Sequence, residues 1–290
     1  MIRIATRGSK LALTQAGQVA EMIGGAELVE TSSDGEPGDK SRFVRGVERA
    51  LLAGEAEVGV HSAKDLPGEM PADLEIAAVP PREDPADAWI GTGSSLEDVP
   101  EGARVGTASL RRRAQLLAAR PDLRVEELHG NVDTRLRKLA EGELDAIVLA
   151  AAGLRRLGRE AEIGFAIPVD RMVPAPGQGT LVLQVRAGDE ETTAAVAGIF
   201  DLDAARELTA ERAAVRLLDA SCTTPVGVFA RVEGEGLEID AFVGLPDGSE
   251  WLRDRIEADA GEPAAAGVLL AERLLGAGAR ELLDRAEAMA

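Results

Sequence analysis

Beyond its carboxylates, hydroxyls and four lysines, this 290-residue chain offers few groups able to act as nucleophile or proton carrier: there is one cysteine, Cys222, two histidines, His61 and His129, and no tyrosine. A lone cysteine excludes an internal disulfide framework and a multi-cysteine metal site, and two isolated histidines argue against a His-rich metal centre or a Ser-His-Asp triad, so no metal is expected. Cys222 stands in Ala220-Ser221-Cys222-Thr223-Thr224-Pro225. An unpaired Cys is commonly a small buried hydrophobe, whereas a Pro-bounded loop suits a thiolate presented to a ligand, and both readings fit this stretch. Lys64 and Asp65 come together in His61-Ser62-Ala63-Lys64-Asp65-Leu66-Pro67, directly after the apolar residues 58–60. That places them at the carboxyl edge of a sheet, where α/β folds hold ligands. The pair offers a fixed positive charge and a carboxylate acceptor within one turn, or a plain surface ion pair.

Arginines at helix starts are the second feature. Segment 104–159 holds 12 basic and seven acidic residues within a chain of net charge −19. Such asymmetry marks a local anion site or a solvated helix face. Thr107-Ala108-Ser109 reads as an N-cap region ahead of Leu110-Arg111-Arg112-Arg113, and Asn131-Val132-Asp133 as a cap for a helix opening with Thr134-Arg135. Cations in a first turn oppose the helix dipole by about 0.3–1 kcal/mol each, so helix stability does not account for them. A bound anion would, because free N–H groups and a guanidinium fork can converge on one carboxylate. Each cap taken singly also serves simply as a cap.

The elements that must hold these residues follow from periodicity and punctuation. Arg3-Ile4-Ala5-Thr6 is echoed by Arg104-Val105-Gly106-Thr107, and residues 54–60 by residues 142–148, each strand leading into a helix or loop. Strands alternating with helical patterns predict an α/β fold of two lobes built on parallel sheets, with a cleft between them. Pro80-Pro81-Arg82-Glu83-Asp84-Pro85 and Pro174-Ala175-Pro176-Gly177-Gln178-Gly179 read as the two strands of a hinge. A helix is expected at 204–218, then three short strands near 226–232, 237–243 and 251–257, then a closing helix over 263–288. The predicted organisation is lobe 1 at 1–81 with 178–200, lobe 2 at 84–174, and a small C-terminal α+β domain at 203–290, with Cys222 on its entry loop.

Composition narrows the function. An acidic chain with 32 basic against 51 acidic residues is a poor general binder of nucleic acid or anionic membrane. No stretch approaches the roughly 18 apolar residues that span a bilayer, so a cytoplasmic protein is expected. Only four of the basic residues are lysines (Lys10, Lys40, Lys64, Lys138), a balance that suggests adaptation to high salt.

Together these pieces resemble the porphobilinogen deaminase family over nearly the whole chain. The resemblance is carried by Ile4-Ala5-Thr6-Arg7 with Ser9 and Gln15, by 60–67, by Glu83-Asp84-Pro85, by Val105-Gly106-Thr107-Ala108-Ser109-Leu110-Arg111-Arg112, by Gly130-Asn131-Val132 with Thr134-Arg135, by Ala152-Gly153-Leu154-Arg155-Arg156, by 174–179, and by Cys222 with Pro225. It implies two lobes similar to type-II periplasmic binding proteins, a third domain, and a dipyrromethane cofactor joined to Cys222 through a thioether. Four porphobilinogens would be added in turn with loss of ammonia, and water would release hydroxymethylbilane. By resemblance, Ser62, Lys64, Thr107, Ser109, Arg111, Arg112, His129, Arg135 and Gly153 hold the cofactor. Arg7, Ser9, Gln15, Asn131, Arg156 and Gln178 contact substrate. Asp65 is the implied catalytic group, its carboxylate steadying positive charge that develops on pyrrole nitrogens. A monomer is implied, with uroporphyrinogen-III synthase as the downstream partner. His129 departs from the Arg common in the family before Gly-Asn, and Ala220-Ser221 from two glycines. The segment 34–43, with Lys40, is expected to form a mobile loop over the cleft. The competing reading is an anion-binding solute receptor of the periplasmic-binding-protein type.

Overall fold

The computed structural model describes residues 1–32, 42–221 and 224–289. Lys40 and most of the segment expected over the cleft lie outside the described residues, as does Cys222. The chain opens with β1 (Arg3–Arg7), α1 (Lys10–Met22), β2 (Glu27–Thr31), α2 (Arg42–Leu52), β3 (Val58–Ser62) and β4 (Leu74–Ala78). It crosses into a second unit of β5 (Asp87–Gly91), β6 (Arg104–Gly106), α3 (Leu110–Ala119), β7 (Arg124–Glu126), α4 (Val132–Ala140), β8 (Ala146–Ala150), α5 (Ala151–Arg156) and β9 (Phe165–Ile167). It returns as β10 (Leu181–Arg186) and α6 (Glu190–Val196).

The two sheets are ordered β2-β1-β3-β10-β4 and β7-β6-β8-β5-β9. They are mixed, which corrects the expectation of parallel sheets. β1 runs parallel to β2 and β3, and β6 to β7 and β8, but β10 and β5 run antiparallel to both their neighbours. The cause is topological: in each sheet the reversed strand is the one that arrives from the other lobe. The internal echo is structural as well, since β1 occupies the place of β6 and β3 that of β8. It extends to a surface joint. Arg3 bonds Glu57 through its backbone N and guanidinium and reaches Gly54 O at 2.9 Å; Arg104 does the same with Asp145 and Gly142 O at 3.3 Å. Both pairs are partly exposed and contribute on the order of 0–1 kcal/mol.

Helices cover the sheets, so β3, β8 and β10 bury nearly every residue. Ile4, Val19, Val60 and Leu183 anchor the first core, and Trp89, Val105, Leu116 and Val148 the second. With only 2% aromatic residues, the stack of Trp89 on Phe165 at 5.7 Å is an exception within an aliphatic interior.

The third unit comprises α7 (Leu202–Leu218), β11 (Val226–Glu233), β12 (Gly236–Gly244), β13 (Trp251–Asp259), α8 (Pro263–Gly276) and α9 (Ala279–Ala288). Its strands form an antiparallel sheet in sequence order. The single closing helix expected over 263–288 is two helices, because Gly278 adopts φ +102°, a left-handed conformation that ends one helix and redirects the chain into the next. This unit touches both lobes: Ala204 and Leu208 of α7 join Val44, Leu66 and Val182, while Phe229 and Phe242 pack on Ala114 and Val173.

The two hinge segments lie side by side, with Glu83 N donating to Gly179 O at 3.2 Å and Arg82 Nε to Gln178 O at 2.9 Å. Gly179, at φ +88°, permits this, because a Cβ there would stand 2.1 Å from Glu83 O. Glu211 of α7 fastens the third unit to both segments. Its buried carboxylate accepts from Gly177 N at 2.5 Å, Ala230 N at 2.8 Å and Arg82 Nη1 at 2.7 Å. Burial pushes the Glu211 carboxyl above its usual range, against the pull of Arg82 and the two N–H donors.

Candidate functional site

The carboxyl end of β1 delivers Arg7, and Ser9 then caps α1 by accepting from Ala12 N at 3.2 Å. One and a half turns on, Gln15 is buried and its Nε2 meets Ser62 Oγ at 3.0 Å. β3 runs two residues further than the sequence suggests, so His61 and Ser62 belong to the strand and Ala63–Asp65 form one 3-10 turn. The second hinge segment seats that turn. Ala63 N donates to Thr180 O, and Gly177 at φ +70° lies so close that a Cβ would stand 2.8 Å from Ala63 Cβ and 2.9 Å from Lys64 N.

Lys64 is thereby held against lobe 2. Burial first, then the neighbouring Arg112 guanidinium, pulls its ammonium down to about 8, with Asp65 and Asp87 opposing. Asp65 keeps about a third of its side chain exposed and has Arg7 Nη1 at 3.9 Å. His61 turns into the lobe 1 interior instead. Its Nε2 pairs with Gln184 Oε1 at 3.1 Å, Gln184 Nε2 donates to Glu48 Oε1 at 3.2 Å, and burial brings the ring down to about 4, so it is neutral at physiological pH.

In lobe 2, Thr107 is buried and accepts from Ser109 N at 3.2 Å, while Ser109 caps α3. The two arginines that follow do not need an outside anion to explain their place in a first turn, which corrects that part of the sequence argument. Asp87, fully buried at the start of β5, receives Arg111 Nη1 at 2.7 Å, Arg111 Nη2 at 3.2 Å and Arg112 Nε at 2.9 Å. Arg111 also donates to Val173 O and Arg112 to Val148 O. Although burial alone would raise it, the two guanidiniums hold the Asp87 carboxyl well below the usual range. Arg135 stands near Arg112: burial, then that like charge, lowers it to about 10.

Of the remaining expected contacts, Gln178 joins this cluster through Asp87. Gln178 is fully buried and donates to Pro85 O at 2.7 Å and Asp87 Oδ1 at 2.9 Å, leaving its own Oε1 without a partner among the described residues. Arg156 donates to Gly179 O at 2.7 Å, tying α5 to the hinge. Gly153 faces α1, where a Cβ would meet Leu11 at 3.6 Å. Asn131 caps α4 by accepting from Thr134 N at 2.9 Å. His129 is exposed and bonds Glu127 at 2.7 Å.

Asp87 is the site residue that the sequence reading missed. The available signal was an acidic residue inside the apolar run Ala86-Asp87-Ala88-Trp89-Ile90 just after a hinge. The Arg82–Glu211 pair leaves no local signal either, since its partners stand 129 positions apart.

Two family descriptions match the chain: "Porphobilinogen deaminase, dipyromethane cofactor binding domain" over residues 2–194, and "Porphobilinogen deaminase, C-terminal domain" over residues 205–276. The chain belongs to the porphobilinogen deaminase family. A relative named porphobilinogen deaminase from Syntrophus aciditrophicus is 44% identical over 302 residues, covering 99% of each chain. Another so named, from Thiobacillus denitrificans, is 48% identical over 248 residues, covering 85% of this chain and 81% of that one. Among solved structures, a TRAP periplasmic solute binding protein from Desulfovibrio salexigens overlaps with a TM-score of 0.41 at 10% identity, covering 69% of this chain and 72% of that one. Family membership does not favour the solute-receptor alternative.

The dipyrromethane named in the family description is a carboxylated bipyrrole, and the residues present suit it. Lys64, Arg111, Arg112 and Arg135 against Asp87 and the partly exposed Asp65 leave an excess of positive charge in one largely buried cluster, and Arg111 Nε and Gln178 Oε1 are buried polar atoms without partners among the described residues. Among those residues no group of His, Cys, Asp and Glu is arranged to hold a metal ion, and no helix is long and apolar enough to cross a membrane.

Proposed function

We propose that the chain carries out the porphobilinogen deaminase reaction: four porphobilinogens condensed head to tail on a primer, with loss of ammonia, then hydrolytic release of hydroxymethylbilane. The observation that carries this reading is the clustering of Lys64, Arg111, Arg112 and Arg135 beside a partly exposed Asp65, because each pyrrole brings an acetate and a propionate to be neutralised. The primer is dipyrromethane joined to Cys222 by a thioether, and when bound it supplies the pyrrole end that is extended.

The side chains divide the work. Lys64, Arg111, Arg112 and Arg135 bind cofactor carboxylates through charge-assisted hydrogen bonds, and Ser62, Thr107, Ser109, His129 and Gly153 are assigned to the same cofactor by the family resemblance. Arg7, Ser9, Gln15, Asn131, Arg156 and Gln178 orient the incoming porphobilinogen or the growing end. Asp65 accepts pyrrole N–H bonds, stabilises positive charge as it develops there, and receives protons released in the coupling. Arg7 Nη1, 3.9 Å away, flanks the carboxylate in this role.

The reading extends to a cytoplasmic monomer made of residues 1–81 with 178–200, 84–174 and 203–290, whose product passes to uroporphyrinogen-III synthase. The membership of the three sheets supports those boundaries. High-salt adaptation rests on the net charge of −19, and a melting series with greater stability in dilute buffer than in molar salt would remove it.

The deciding experiment incubates purified protein with porphobilinogen. Ammonia release and a product that cyclises to uroporphyrin are expected, and intact-mass analysis of the unsubstituted protein should show the added mass of two linked pyrroles, absent in Cys222→Ala. A free thiol with no consumption of porphobilinogen would refute the reading.

A further inference from the structure

Two guanidiniums packed side by side in a protein interior repel each other, and each has several orientations in which to meet a ligand. In this buried cluster neither remains unchecked. Asp87 accepts from Arg111 Nη1 and Nη2 at 2.7 and 3.2 Å and from Arg112 Nε at 2.9 Å, with Arg112 Nη2 at 2.8 Å, so one carboxylate bridges the pair. Val173 O and Val148 O complete the clamp. The same Oδ1 that receives Arg112 also receives Gln178 Nε2 at 2.9 Å, and Gln178 belongs to the second hinge segment, whereas Asp87 begins the strand that leaves the first.

We propose that Asp87 is the positioning residue of the anion site: it fixes which N–H groups of Arg111 and Arg112 remain for a ligand carboxylate, and through Gln178 it makes their placement depend on the hinge. This rests on the reading that the cleft binds carboxylated pyrroles. Asp87 trades affinity for geometry. It cancels one of the two arginine charges, weakening attraction for anions at large, and leaves a rigid array suited to the paired carboxylates of a pyrrole.

The test exploits that opposition of signs. In Asp87→Asn, kcat/KM for porphobilinogen should fall at least about tenfold, because the amide offers one oxygen and two unwanted N–H donors to the guanidiniums. On the full chain carrying Cys222→Ala, so that no primer covers the arginines, sulfate should bind about tenfold more tightly once the competing negative charge is gone. The sulfate site counted is the one that Arg112→Leu removes. General damage to the fold would weaken both. Unchanged turnover, or sulfate binding that fails to tighten, overturns the assignment. If Asp87→Asn does not fold, Asp87→Glu keeps the charge and shifts it by one methylene: at least a tenfold loss of turnover with sulfate affinity held within about twofold supports the role, and unchanged turnover overturns it. Should the unsubstituted protein not consume porphobilinogen, the functional reading falls, and the sulfate measurement alone decides on Asp87.

Discussion

Lys64 offers a quantitative prediction, because its ammonium sits at about 8 and therefore changes charge within an accessible pH range. Sulfate is a suitable probe, being a dianion from pH 6 to 10. Arg135, near 10, stays about nine-tenths charged at pH 9, and His61, near 4, is neutral throughout. In the unprimed Cys222→Ala protein Lys64 is about nine-tenths protonated at pH 7 and about one-tenth at pH 9, so the sulfate dissociation constant should rise about tenfold between them. In Lys64→Met it should be weak and flat with pH. Titration calorimetry at three pH values measures it. A flat profile with Lys64 present, or the same slope in Lys64→Met, would refute the argument. Stability carries the opposite signature. The folded state depresses Lys64 below its ordinary 10.5, so between about pH 8 and 10.5 the native protein binds fewer protons than the unfolded chain. The penalty is present in full below that window and relieved as pH rises through it, so the unprimed protein should gain about 1–3 kcal/mol on this account, and saturating sulfate should abolish the gain.

Three further outcomes follow. Asp65→Asn should keep the fold and the primer mass yet lose about 10²–10³ in turnover, and near-normal ammonia release would remove Asp65 from its role. Glu211→Leu removes the nearer carboxylate of the buried Arg82, leaving it Glu207 at 3.3 Å, and deprives two N–H donors of their acceptor, which should cost about 3–5 kcal/mol in denaturant unfolding; pairing it with Arg82→Met should recover part of the loss, and strictly additive costs would refute the coupling. Gly179→Ala places a Cβ 2.1 Å from Glu83 O at a positive φ and should cost more than about 1 kcal/mol and lower kcat. An unaltered melting temperature and rate would show the crossing to be more pliant than its packing indicates.

The sequence makes the lobes legible because their strands are short apolar runs followed by capped helices, and Ser9, Ser109 and Asn131 all cap as their types suggest. The hinge is legible from its prolines and glycines. The reversed strands were not, since β5 and β10 carry the same apolar signature in either direction. Within the site, Lys64 and Asp65 stand out by proximity in the chain. Their difference in environment does not, because it is imposed by Gly177 and Arg112, more than 40 residues away in sequence. The arginines of α3 stand out as anomalous for a helix start, but the partner supplied by the protein itself, Asp87, lies 24 residues upstream in the sequence. Pairing at that range leaves no periodic trace.

The hinge contact has a consequence for how such a molecule can be cut and rejoined. Where the chain leaves the first sheet and where it re-enters, Glu83 N and Gly179 O are 3.2 Å apart. Everything from 84 to 178 is therefore an excursion that closes on itself, and a tight turn joining 83 directly to 179 restores a continuous backbone through β1–β4 and β10 without moving either end. The excised stretch, whose own termini already neighbour each other, is a natural cassette for transplantation or for circular permutation, with the severed hinge as the splice point.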